Sequence, residues 1–330
     1  HNRSSWLSNQ HECTWYGVKC GSSEETVSSE LVTFVDLADN NLSGSLVSEL
    51  GGLIELETIQ LQDNTLTGIV HENIFSIPRL QSLFIDGNRL AGVLPPIFGM
   101  PMLKHLDLSR NDFVGTIPSI FAESLVDVRL SDNQFSGGIP SSFGARKNLE
   151  TFVAGNNKIQ GTIPLGVAQL PRLVNLQLYE NELTGSVPDF VSDKVTLLHL
   201  DSNGLRGHVP SLSSVSSLKE LRLEENELTG ELQSELGNFT AMELLHIQEN
   251  NLEGQVPTSL GQLTRLRSFL FYENQFDGMV PEELCVLKST FQLSSLVASC
   301  DGESNGLDLP CSCCNTCNSD SLLLGEWLSW

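Results

Sequence analysis

The chain contains no run of apolar residues long enough to cross a bilayer, so no segment reads as a membrane-spanning helix. Basic residues are scarce: 18 Lys and Arg stand against 41 Asp and Glu, for a net charge of −23. A polyanion of this size repels nucleic-acid phosphates and anionic lipid headgroups, which excludes nucleic acid as a partner and leaves basic groups or divalent cations. The plainer consequence of the same charge is solubility. Aromatic residues make up only 7% of the chain, but the 40% hydrophobic content suffices for a packed core. There is no G-x-S-x-G, no H-E-x-x-H and no phosphate-binding glycine loop, so catalysis is not expected, and neither a cofactor nor a metal is implied. The chain opens at His1 with no signal-peptide pattern, which reads as a processed product.

What is present is a repeat. The stretch LKHLDLSRNDFVGTIP, residues 103–118, recurs as LETIQLQDNTLTGIV, LVNLQLYENELTGSVP, LKELRLEENELTGEL and LRSFLFYENQFDGMVP. Its asparagine falls at Asn40, Asn64, Asn88, Asn111, Asn133, Asn157, Asn181, Asn203, Asn226, Asn250 and Asn274, eleven positions spaced 22 to 24 residues apart. Apolar side chains three and five residues before it alternate as in a short, half-buried strand. The position two after is Leu, Ile or Phe, the position four after is always Gly, and the position six after is Leu, Ile or Val. Eight repeats then place a proline, with Val47, His71 and Gln233 in the other three. An asparagine at a corner both donates and accepts, so it can join the backbone of its own coil to that of the next in a buried ladder. The glycine column implies close backbone approach or a positive φ, and the proline suits a bend on the outside of a coil.

This frame, LxxLxLxxNxLxGxIP, resembles the plant-type leucine-rich repeat family over roughly residues 31–285. The resemblance implies a right-handed superhelical solenoid with a parallel sheet on the concave face. It also implies 3-10 segments and turns on the convex side, a second short strand near LxGxIP and disulfide-stapled caps at both ends. The expected organisation is a cap over residues 1–30, repeats over 31–284, and a cap and tail over 285–330. Residues 6–20, WLSNQHECTWYGVKC, resemble the family's N-terminal cap, which implies a Cys13–Cys20 disulfide with Trp6 and Trp15 over the first coil. With only twelve residues before Cys13, that cap reads as shortened.

The remaining cysteines are Cys285, Cys300, Cys311, Cys313, Cys314 and Cys317, four of them within CSCCNTC. Alone, that stretch is open to a thiolate metal cluster, a redox centre or a disulfide staple. It holds no histidine, and its CxxC lies in no βαβ context. At the end of a capped extracellular array, disulfides are the simpler account. The spacing selects no pairing, although adjacent Cys313 and Cys314 are expected to bond different partners. LVASC…CSCCNTC is similar to the cysteine-rich ends of leucine-rich repeat proteins from diatoms. Sequons stand at Asn2, Asn41 and Asn238, and the tail SLLLGEWLSW is expected to pack on the cap.

On this frame, residues two, four and six before each asparagine face the concave side. That face is chemically mixed. Its candidate ligand contacts are Phe84, Arg129, Tyr179, His199, Arg222, His246, Leu270 and Tyr272. His105, His199 and His246 face the same side but are expected many coils apart, unable to share a site. One residue before the asparagine, Asp39, Asp63, Asp132, Glu180, Glu225, Glu249 and Glu273 form an acidic stripe, read as a solvated edge or a rim for cations. The RxR pair of plant-type peptide receptors has no counterpart in register, since Arg265 and Arg267 come too early in their repeat. The resemblance implies an extracellular, monomeric domain binding a protein or peptide ligand, with a co-receptor as further partner, as the ectodomain of a membrane receptor. A secreted adhesion or cell-wall protein and an inhibitor of an extracellular hydrolase are the alternatives.

Overall fold

The computed structural model describes residues 11–22, 30–95, 100–119, 122–212, 215–299 and 309–317. The chain forms two compact units, His1–Leu173 and Val174–Trp330.

In the first unit the inner sheet is built from Glu30–Asp36, Thr58–Gln60, Ser82–Phe84, His105–Asp107, Asp127–Arg129 and Thr151–Val153, one parallel strand per coil. In the second unit it is built from Asn175–Gln177, Leu197–His199, Glu220–Arg222, Leu244–His246, Ser268–Leu270 and Ser295–Ala298. Each three-residue strand has one inward residue, such as Leu106, Val128 or Leu221, fully buried at its centre. A second parallel sheet forms in each unit from the LxGx segments, for example Asp112–Thr116 beside Gln134–Gly138 and Glu227–Glu231 beside Asn251–Gln255.

The asparagine column is the expected buried ladder. Asn226 Nδ2 donates to Leu200 O, Leu223 O and Glu224 O at 3.0, 3.1 and 3.0 Å, while its Oδ1 accepts from Leu205 N at 3.0 Å. One side chain thus ties two coils at the corner where the strand ends. The glycine column resolves to positive φ: Gly230 has φ 81°, and a Cβ there would also collide with the His208 ring. Proline caps the convex helices. Pro140, Pro164 and Pro257 stand immediately before Ser141–Ala145, Leu165–Ala168 and Thr258–Gln262. Val47 and Gln233 precede equivalent 3-10 helices with φ of −79° and −73°, so the ring favours the bend without being required for it.

The residue before each asparagine is left-handed, which the acidic stripe had concealed. Asp39, Asp63, Gly87, Arg110, Asp132, Asn156, Glu180, Ser202, Glu225, Glu249 and Glu273 have φ between 44° and 62°. Glycine and asparagine suit this conformation; glutamate does not. Glu249→Asn is therefore expected to stabilise the protein by about 0.5–1 kcal/mol, read as a higher denaturation midpoint in urea. The carboxylic acid there is also raised in pKa, first by burial and then by Glu273, Glu225 and Glu224, and the substitution removes that repulsion as well.

Both ends are stapled. Cys13–Cys20 is bonded, and the strand Val18–Ser22 pairs antiparallel with Glu30–Asp36 to cover the first coil, with Lys19 Nζ 4.3 Å from the Phe34 ring centroid. At the other end Cys285 bonds Cys313 and Cys311 bonds Cys314, so the adjacent cysteines take different partners. CSCCNTC also supplies a cap that its cysteines had obscured. Asn315 Oδ1 accepts from Leu296 N at 2.8 Å and its Nδ2 donates to Ser294 O at 2.9 Å, leading into the short strand Thr316–Cys317, which pairs in parallel with Ser295–Ala298. Cys300, the Cys317 side chain, Trp6, Asn2 and the tail lie outside the described residues.

Candidate functional site

In the first unit the outward column runs Asp36, Gln60, Phe84, Asp107, Arg129 and Val153 in register. Phe84 is half-buried and Val153 buried. Arg129 is held by its own strand: Nε lies 3.1 Å from Asp127 Oδ1 and Nη2 3.2 Å from Asp127 Oδ2. Burial, helped by Asp86, pushes the Asp107 carboxyl up. The acidic rim is partly neutralised here, because Arg110 enters the stripe and bridges Asp63 Oδ1 at 3.0 Å and Asp86 Oδ2 at 2.8 Å.

The second unit gathers more chemistry. Its outward column is Gln177, His199, Arg222, His246 and Leu270, each the register partner of the next. The expectation that the histidines lie many coils apart fails for His199 and His246. They lie two coils apart with Arg222 between, or about 10 Å at the usual strand spacing. His199 Nε2 sits 3.0 Å from Glu220 Oε2, which holds the Glu220 carboxyl below its ordinary range. His246 Nε2 is 2.8 Å from Ser268 Oγ and its Nδ1 is 3.5 Å from Glu224 Oε1.

The column two residues before the asparagine reads Tyr179, Asp201, Glu224, Gln248 and Tyr272 over five consecutive coils. Tyr272, a candidate contact, is only 6% exposed and forms a wall. Burial, with Glu249, Glu273, Glu224 and Glu225 around it, pushes its phenol up to about 12. Glu224 and Gln248 are 8% and 7% exposed. Burial, with Glu224 adding to it, pushes Asp201 up to about 6, against the pull of His199 and Arg222. Asp201 Oδ1, Glu224 Oε2 and Gln248 Oε1 have no hydrogen-bond partner in the chain. The sequence frame shows this column as another mixed row. Its one signal was two acids and an amide set between tyrosines.

A raised carboxyl pKa means that stability is fully present below the unfolded value near 3.8 and is lost as pH rises through about 6. Asp201→Asn is therefore expected to raise Tm at pH 7.5, by about 2 kcal/mol of unfolding free energy after allowance for partial exposure. The two proteins should melt together near pH 3.5. Thermal scans across pH check this, and equal Tm values at pH 7.5 contradict it.

Among the described residues no group of three or more His, Cys, Asp or Glu is placed to hold a metal ion.

A protein-family model described as Leucine Rich Repeat matches residues 79–100, 102–123, 124–145 and 217–239. Over 107 residues the chain is 32% identical to Receptor-like protein 35 of Arabidopsis thaliana, spanning 32% of this chain and 11% of that protein. The structure of the Arabidopsis receptor kinase HAESA in complex with the peptide hormone IDA and the co-receptor SERK1 matches with a TM-score of 0.72 at 31% identity, over 82% of this chain and 44% of that one. A plant ice-binding protein matches over 94% of this chain and 93% of its own with a TM-score of 0.65, but at 22% identity that likeness is one of fold alone. The chain thus spans about a tenth of the length of the curated relative and under half of the receptor ectodomain.

Proposed function

Because the chain is built of leucine-rich repeats homologous to those of plant receptor-like proteins and receptor kinases, we propose that it is the ligand-binding ectodomain of such a receptor, taking a protein or peptide ligand on its inner sheet face. The observation that carries this reading is the contrast between columns. Core positions are uniform and satisfied, whereas the outward columns mix charge, aromatics and amides, and leave buried acceptors without donors. A leucine-rich repeat fold does not choose among functions by itself; the inner face does. Disulfides at both ends support an extracellular location, and no described helix is long and apolar enough to cross a membrane.

On this reading residues 1–30 and 285–330 are caps and 31–284 the recognition array. Phe84 and Arg129 serve as contacts in the first unit, and Tyr179, His199, Arg222, His246 and Leu270 in the second, with Tyr272 as wall. The role is binding, with no catalysis, and the isolated domain is monomeric. Asn41 and Asn238 are exposed and open to glycosylation. The diatom-like ending of the cap is carried by resemblance alone.

Peptides selected on this protein from a displayed random library test the proposal. Arg129→Glu or Arg222→Glu should weaken the selected peptides at least tenfold, with unchanged circular dichroism. Lys147→Glu, an exposed change beside the convex helix Ser141–Ala145, should leave affinity within twofold. The opposite ranking overturns the assignment.

A further inference from the structure

Resting on the inner face as a ligand surface, we infer that the second unit carries a cation-recognition site, an acceptor ladder of Asp201, Glu224 and Gln248 between Tyr179 and Tyr272, that takes an arginine side chain of the ligand. The three ladder residues occupy the same column of three successive coils, about 4.8 Å apart. Each buries one oxygen that the chain leaves unpartnered, and Glu224 and Gln248 are more than nine-tenths buried. A buried acceptor without a donor is costly, and three in one run call for donors from outside the chain.

The cations nearby leave these three oxygens without a donor. His199 is held by Glu220. His246 faces the other Glu224 oxygen, leaving Oε2, and its second nitrogen is taken by Ser268. Arg222 lies in the neighbouring column with its own Nε unpartnered, so its Nε donates to none of the three. Glu225, Glu249 and Glu273 line the adjacent rim, so the acids outnumber Arg222 and both histidines even when the histidines are protonated.

A bare metal ion does not suit the set, in which no three ligating side chains converge. A guanidinium does. It is planar, carries five N–H donors and no acceptor, and can reach oxygens on two adjacent coils at once. Tyr179 and Tyr272 place aromatic rings at the two ends of the ladder, and arginine stacks on such faces better than lysine.

The test uses a fluorescein-labelled, N-acetylated tetra-arginine amide and anisotropy at pH 7.5 in 150 mM salt. Asp201→Asn combined with Glu224→Gln should lower its affinity at least tenfold. Asp112→Asn combined with Glu253→Gln removes the same charge from exposed positions of the second sheet and should lower it less than threefold. Tetra-lysine amide should bind the wild-type chain at least threefold more weakly than tetra-arginine. Equal losses in the two double variants would mean that net charge alone attracts the peptide, and equal binding of tetra-lysine would remove the guanidinium; either overturns the site. If library-selected peptides map to the inner face while the ladder variant behaves as the control, the cation site fails and the receptor reading stands. If the ladder variant loses tetra-arginine but selected peptides map to the convex side, the cation site stands and the receptor reading fails.

Discussion

Asn226→Ala should lower the unfolding free energy by about 3 kcal/mol in urea denaturation, one of the largest losses available from a single polar side chain here. The amide serves three carbonyls, Leu200, Leu223 and Glu224, and accepts from the Leu205 amide, all at a buried corner. Alanine satisfies none of these groups and is too small to exclude them from one another, so several buried backbone atoms are orphaned together. Because each coil is stabilised only through its neighbours, damage at an interior corner weakens two interfaces. Asn251→Ala, an exposed asparagine whose side chain meets only Gln275 at 3.4 Å, serves as the control and should cost under about 0.5 kcal/mol. Equal costs would show that the ladder is not what joins the coils.

The second large effect lies at the C-terminal staple. Replacing Cys285 and Cys313 together by serine removes a bond closing 28 residues of chain, for which loop entropy alone gives about 3–4 kcal/mol. The same change at Cys311 and Cys314 opens a loop of only three residues and should cost about half as much. The longer bond also ties the helix Glu282–Thr290 to the segment in which Asn315 caps the strand Ser295–Ala298. Its loss should therefore open the last coil first, seen as accelerated amide exchange at Leu296 before the interior coils respond. Uniform exchange along the second unit would contradict that order.

How much of this was legible in the sequence follows from which interactions are local to one repeat. The frame placed each inner strand, the asparagine ladder and the inward columns, because each depends on residue type at a fixed offset and recurs in every coil. It named the Cys13–Cys20 bond through resemblance. It did not reveal the left-handed backbone before each asparagine, because Glu225, Glu249 and Glu273 are poor residues for that conformation and hid it behind their charge. It missed Asn315 because that residue lies beyond the repeat frame, where no fixed offset marks a capping asparagine. The acceptor ladder was the hardest to see, since Asp201, Glu224 and Gln248 are more than twenty residues apart in sequence and become neighbours only through stacking. Judging the histidines by sequence distance failed for the same reason, since one coil of about 23 residues advances only one strand spacing.

The second unit therefore keeps side chains that cost stability on the face proposed to bind ligand: a carboxyl pushed up to about 6 at Asp201 and four left-handed glutamates, Glu180, Glu225, Glu249 and Glu273, on the rim. Such strain at one face, beside a satisfied core, is what a surface selected for recognition looks like.

Amide hydrogen exchange of the whole chain, with and without a library-selected peptide, addresses the central claim most directly. Binding should slow exchange along the inner strands and their outgoing residues, 197–201, 220–224 and 244–248, and leave the helices Ser234–Asn238 and Thr258–Gln262 unchanged. Protection confined to those helices, with the inner strands unaltered, would contradict it.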